Sequence, residues 1–340
     1  MAEREDLVAS ILATTSDYRD GEIAAPTSAH IERWIGQFDA DVQLPILREM
    51  DHVLDKTYFK KKDVDRFLTG LIRNEKLVGS DPEAFWKSAN FLNIQRGGGS
   101  QHDMLIAFDK LLRAELGFGI EESGSEAETF IYIDDAIFTG GRVKSDVSPW
   151  IIENAPKSAT LHVLVIAIHE GFYYNRDRIA AAAKQAGKTI DIKWWRIAMF
   201  ENRKFYRNSS DILWPVNIPD DAATIAHVEK MEHEPAFRAP GNIGPLKIFS
   251  SDDARQLLER EFLKAGVRIR DMCPNLPVVE RPLGHSYLET LGFGSTLVTY
   301  RNCPNNAPLA YWAGDPWYPL FPRKTNSESR LEKLFRGLKF

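Results

Sequence analysis

The middle of this 340-residue chain is predicted to be α/β, with a mostly parallel, Rossmann-like sheet covered by helices on both faces. Three observations carry that prediction. Between about residues 86 and 205, β-branched apolar runs alternate with helical patterns. Glycine turns join strand to helix twice there, at Gly97-Gly98-Gly99 and at Gly140-Gly141. The flanks lack the alternation: residues 1–80 read as a helical N-terminal region packed on the core, and 206–340 as an irregular C-terminal extension closing over it.

The N-terminal region holds four helical stripes. Leu7, Ile11 and Leu12 share one face. Pro26-Thr27 starts a second helix with Ile31, Trp34, Ile35 and Phe38 on its stripe. Leu44, Leu47, Met50, Val53 and Leu54 mark a third, and Val64, Phe67, Leu68, Leu71 and Ile72 a fourth. Such a preface suits a cap on the sheet or an oligomer contact. In the core, Ala89–Ile94 reads as a strand, Gln101–Leu116 as a helix and 120–128 as a polar loop. Phe130–Ile133 is a buried strand, followed by a helix over Val143–Glu153. Thr160–Ile168 and Thr189–Trp195 are strands around an alanine-rich helix, Asn175–Ala186. Beyond it, Asp221–Glu234 and Asp252–Ala265 read as helices and Ser295–Tyr300 as a strand. Turn chemistry from Arg301 leads to a short apolar strand ending at Trp312, and a last helix covers Glu328–Leu338.

Composition narrows the function classes. Hydrophobic residues at 44% and charged residues at 27% describe a globular protein. A net charge of −5 argues against wholesale coating of nucleic acid. Two cysteines, Cys273 and Cys303, make no disulfide framework or four-cysteine metal site, which fits a reducing cytoplasm. The charged N-terminus does not read as a secretory signal, and no apolar run reaches the length of a membrane span.

The chemistry concentrates at Asp134-Asp135-Ala-Ile-Phe138-Thr139-Gly140-Gly141-Arg142. Two carboxylates end a strand, and a glycine turn then opens a helix. A turn of that kind presents backbone N–H groups to a phosphate, while the acids suit a sugar diol or a metal. Paired acids plus Thr-Gly-Gly exceed what helix capping needs. Ligands of open parallel sheets sit beyond the C-terminal strand ends. Arg96, Gly97, Gly98, Gly99 and Ser100 occupy one such end as an anion nest, with Arg96 the candidate pyrophosphate cation. His169 and Glu170 occupy another, where they could bond a base edge or move a proton. The Asn305-Asn306 amides are further candidates for a base or ribose edge.

The 130–142 segment resembles the phosphoribosyl pyrophosphate signature of type I phosphoribosyltransferases. The resemblance implies a type I phosphoribosyltransferase-like core. Asp134 and Asp135 would hold the ribose hydroxyls, directly or through Mg²⁺, and Thr139, Gly140, Gly141 and Arg142 would cradle the 5′-phosphate. Two positions depart from the pattern: Arg142 stands where the signature usually has Thr, and Phe138 where 6-oxopurine salvage enzymes carry an acid. Trp34, Gln37-Phe38, Ile94-Gln95 with Gly99-Ser100-Gln101, Phe293-Gly294, Tyr300–Leu309, Trp312, Trp317 and Pro319–Arg323 extend the resemblance to nearly the whole chain. They resemble the phosphoribosyltransferase-like effector family of prokaryotic conflict (anti-phage defence) systems. That implies a defence-associated enzyme acting on a nucleotide or nucleic-acid substrate, without fixing its reaction. The first expectation for that reaction is a cytoplasmic pentosyltransferase or N-glycosidase acting at ribose C1′ of phosphoribosyl pyrophosphate, a nucleotide, RNA or DNA. Asp134, Asp135 and His169 would be its catalytic residues. The alternatives are an inactive sensor of a phosphoribosyl ligand, or an interaction subunit docking a defence-system partner such as a reverse transcriptase–DNA complex or an ATPase.

Overall fold

The computed structural model describes residues 2–97, 99–125, 128–241 and 244–323. The expected helix at 328–338 lies outside them. Contacts divide the chain into two units, one of residues 61–203 and one joining residues 1–60 to those from 204 onward. The helical preface is therefore split. Its first three helices fold with the C-terminal extension, and its fourth folds with the sheet.

The first unit begins with α1 (Ala2–Thr15), α2 (Ser28–Ile35), α3 (Ala40–Thr57) and a two-residue strand β1 (Tyr58–Phe59). Thr27 caps α2, its hydroxyl accepting the His30 N–H. The apolar stripe of α2 enters an aromatic core: Trp34 packs edge-on against Phe38 and Phe262, and its indole N–H donates to the Ala310 carbonyl at 2.8 Å.

In the second unit, α4 (Lys61–Ile72), α5 (Glu75–Val78) and α6 (Pro82–Ser88) precede a parallel sheet. The sheet comprises β2 (Asn90–Phe91), β3 (Thr129–Ile137), β4 (Ser158–His169), β5 (Thr189–Trp195) and β6 (Ala198–Phe200). Its connecting helices are α7 (Ser100–Leu116), α8 (Gly141–Glu153) and α9 (Tyr173–Gln185). Strand order is β2-β3-β4-β5, and β6 continues along β4 in the register of β5. Almost all of β4 is buried, as its apolar run Val163–Ile168 requires of a central parallel strand.

Alternation sorts the side chains by face. Phe130 packs on Trp150 of α8, and Trp194 on Phe172 at the start of α9. Phe91 meets Trp86 of α6 and Phe108 of α7, and Trp195 stacks on His162, so this set takes the other face. Helices thus flank the parallel sheet on both sides.

Strand β2 is shorter than the expected 89–94. The Ile94 and Gln95 N–H groups donate to the Gln101 side chain, both at 2.8 Å, instead of to a neighbouring strand.

The chain then returns to the first unit through α10 (Ala222–Glu229), α11 (Asp252–Met272), a hairpin of β7 (Glu280–Arg281) and β8 (Gly284–His285), β9 (Val298–Thr299) and α12 (Leu309–Trp312). Only Val298-Thr299 of the expected 295–300 strand is paired, in parallel with β1. The expected strand ending at Trp312 is instead the single helical turn α12. Pro304 and Pro308 cannot donate to a sheet, and the Pro308 carbonyl accepts the Tyr311 N–H at 2.9 Å. Gln37 clasps Tyr318 through both its amide atoms, at 2.8 Å each, and Trp317 reaches the Ala310 carbonyl. The aromatic tail therefore closes a core.

Arg238 is buried and gathers the loops before α10 and α11. Its guanidinium donates to the carbonyls of Trp214, Arg207 and Ile212 at 2.6–2.7 Å and to Glu259 at 3.1 Å. Arg238→Met leaves Glu259 and several carbonyls without this donor. It should cost about 3–5 kcal/mol of stability in denaturant unfolding. The exposed Arg66→Met should stay within about 0.5 kcal/mol.

Burial in the sheet pushes His169 down to about 3 and His162 to about 4. In the unfolded chain both take a proton near 6.5. The unfolded state therefore binds more protons between these values, and stability is lost as pH falls below about 6.5. Thermal unfolding from pH 7 to 4 should show that decline, and His169→Phe should flatten it.

Candidate functional site

Asp134 and Asp135 are consecutive in β3, so they leave opposite faces of the strand. Asp134 is buried on the α8 side, where its carboxylate accepts from the Tyr132 hydroxyl and the Gln95 amide, both at 3.3 Å, and from the Asp135 N–H at 2.9 Å. Asp135 is half-buried and accepts the Ala136 N–H at 2.7 Å.

The Tyr132 hydroxyl also lies 3.1 Å from Asp146 of α8, a residue that motif reading missed. Asp146 is buried and also accepts the Arg96 backbone N–H. Burial raises its carboxyl above the usual range, against the opposing pull of Tyr132, Arg142 and Arg96. The available sequence signal was the four-residue spacing from Arg142, which puts both side chains on one helix face.

The turn after β3 is built around Gly140, at φ +75°. A Cβ there would stand 3.2 Å from both Phe172 and Asn175, so conformation and space both demand glycine. Asn175 donates to the Thr139 carbonyl at 2.8 Å, clipping the turn to α9. The Thr139 hydroxyl accepts the Gly141 N–H at 3.2 Å. Arg142 is exposed at the first turn of α8.

The glycine loop adjoins this turn. A Cβ on Gly97 would lie 3.4 Å from the Arg142 guanidinium. Gln95 and Ser100 bond each other across the loop at 3.2 Å, and Gln101 ties its base. Gly98 lies outside the described residues. Gly99 has an ordinary negative φ, and a Cβ on it would meet nothing within 4 Å, so neither strain nor internal packing explains its identity. The Gln101 Nε2 is buried, with no hydrogen-bond partner among the described residues.

The other expected residues have these surroundings. His169 is buried between Phe138 and Phe200, with ring centroids at 4.9 and 5.3 Å, and its Nδ1 faces the Ile137 carbonyl at 3.3 Å. Glu170 pairs with Arg203. Asn305 and Asn306 belong to the other unit, where Asn305 donates to Glu280 at 2.9 Å and Asn306 is buried.

For Mg²⁺ the donor chemistry fits. A hard cation of this kind is held by one or two carboxylates together with substrate oxygens. Asp135 is the more accessible such carboxylate, and Asp134 stands on the opposite face of the strand end. Among the described residues no group of three His, Cys, Asp or Glu is gathered for a metal, as such a shared site allows.

No helix among the described residues is long and apolar enough to cross a membrane. No curated protein and no solved structure matches the chain. Residues 31–323 match the PRTase-CE family, a span that takes in both units, the strand-end acids and both glycine turns. The chain therefore belongs to PRTase-CE, the phosphoribosyltransferase-like family of conflict systems and effectors.

Proposed function

We propose that residues 61–203 bind a 5-phosphoribosyl ligand, either phosphoribosyl pyrophosphate or a nucleotide, and act at its ribose C1′. The observation that carries this reading is the meeting of the two glycine turns, with Arg142 against Gly97 and the Arg96 N–H on Asp146. Two helix N-termini and two arginines then serve neighbouring anionic groups, a 5′-phosphate at 139–142 and a pyrophosphate at 96–100. The buried Gln101 amide supplies a donor that matches an oxygen acceptor.

In this reading the chain's own groups position and stabilise. Asp134 and Asp135 orient the ribose hydroxyls while positive charge develops at C1′ in an oxocarbenium-like state. Bound Mg²⁺, held with Asp134 and Asp135, would neutralise charge on the phosphate oxygens. His169 stays neutral and buried, so we assign it the packing of Phe138 rather than proton transfer. Phe138 in turn stands where a purine-salvage acid would be, which favours a different acceptor. Participation in a conflict system, with RNA, DNA or a defence protein as partner, is the setting that family membership supports.

Arg142 favours a second reading, a sensor that binds the ligand without consuming it, because a guanidinium replaces the usual hydroxyl. Mass spectrometry of the products from a panel of phosphoribosyl pyrophosphate, nucleotides, NAD and RNA separates the two. Mg²⁺-dependent turnover should fall at least 100-fold in the Asp134→Asn/Asp135→Asn double variant, and full turnover there would end the catalytic reading. By calorimetry, Arg142→Ala should weaken phosphoribosyl pyrophosphate binding about tenfold, and Arg142→Thr should lose less.

A further inference from the structure

Three side-chain donors meet at the β7–β8 hairpin of the first unit. Glu280 and His285 are register partners across the hairpin. The Asn305 backbone carbonyl accepts the His285 N–H at 2.8 Å, which brings the asparagine side chain beside them. Glu280 Oε1, His285 Nδ1 and the terminal amide atom of Asn305 then form a triangle with edges of 3.3, 3.2 and 2.9 Å.

Hydrogen bonding can satisfy that triangle only by loading both donors onto Oε1. If His285 Nδ1 carries its proton, it and the Asn305 N–H both donate to Oε1, which crowds two nitrogens 3.2 Å apart on one oxygen. If it is bare it accepts from Asn305, but then its lone pair faces the carboxylate. Glu280 is 9% exposed, and its Oε2 is buried with no hydrogen-bond partner among the described residues. Arg270 meets Glu280 at the backbone carbonyl, not at the carboxylate.

A cation at the centre replaces that crowding with three converging ligands. Turning the Asn305 amide over presents Oδ1 at the same point, because the amide oxygen and nitrogen are nearly equal in size. Three bare donors then face one centre. Ligand bonds of about 2.1 Å place neighbouring donors roughly 3.0–3.4 Å apart, close to the edges observed. One carboxylate oxygen, one imidazole nitrogen and one amide oxygen form a borderline donor set. His285 is partly exposed, which leaves Nε2–H to solvent and gives the ion a way in.

We propose that Glu280, His285 and Asn305 bind a divalent first-row cation of the Mn²⁺-to-Zn²⁺ class, pinning the hairpin to the segment that carries Asn305. The site is separate in sequence and chemistry from the carboxylates of the phosphoribosyl reading.

The test uses the full chain, stripped with chelator and titrated calorimetrically with ZnCl₂ and with MnCl₂, with unfolding temperature read in parallel. One equivalent of at least one ion should bind and raise the unfolding temperature. Glu280→Gln and His285→Ala should each weaken it at least tenfold, and Asp134→Asn/Asp135→Asn should retain it. Asn305→Asp should bind more tightly than the wild type while being the less stable of the two when stripped. That result needs no loss of fold to be read. Absence of saturable binding of either ion, binding unchanged in His285→Ala, or an Asn305→Asp variant that neither tightens nor responds to metal would overturn the site.

Discussion

A tyrosine hydroxyl has one proton to donate, and two carboxylates reach for it at Tyr132. Asp134 comes from the same strand, and Asp146 from the helix that follows the Gly140 turn. Neither acid can lean on bulk water, because both are buried. The remaining acceptor capacity is met by the Gln95 amide, the Arg96 N–H and the charge of Arg142. These groups are drawn from both glycine turns. The cost of burying two acids is thus what ties the loop before α7 to the loop before α8.

The turn at Gly140 is the mechanical counterpart. Phe172 and Asn175 leave no room for a side chain there, and the Asn175 amide holds the Thr139 carbonyl. With its back fixed to α9, the turn directs the N-terminus of α8 and sets Arg142 one residue beyond it. An arginine in that place can address an anion at either turn. A threonine hydroxyl has shorter reach and no charge.

Much of the site was legible because it is local. Asp134, Asp135, Thr139 and the two glycines lie within eight consecutive positions, and strand-turn-helix geometry follows from that spacing. Asp146 and Gln101 were not legible. One is drawn in through a tyrosine proton, and the other through two backbone N–H groups of a strand that ended early. His169 departs from its expected surroundings for the opposite reason. A strand-end histidine looks available in sequence, but here the next strand and the turn close over it from both sides with Phe200 and Phe138.

The sequence by itself determined the parallel sheet, its flanking helices and the glycine turn after the strand-end acids, since periodicity and short-range turn chemistry are properties of adjacent residues. Tertiary structure alone decided how the chain partitions. The first 60 residues join the C-terminal extension, while Lys61–Ile72 packs on α7. An apolar stripe states that a helix must be covered, but not by what. The same holds for Glu280, His285 and Asn305, whose meeting across 25 residues exists only once the hairpin has closed.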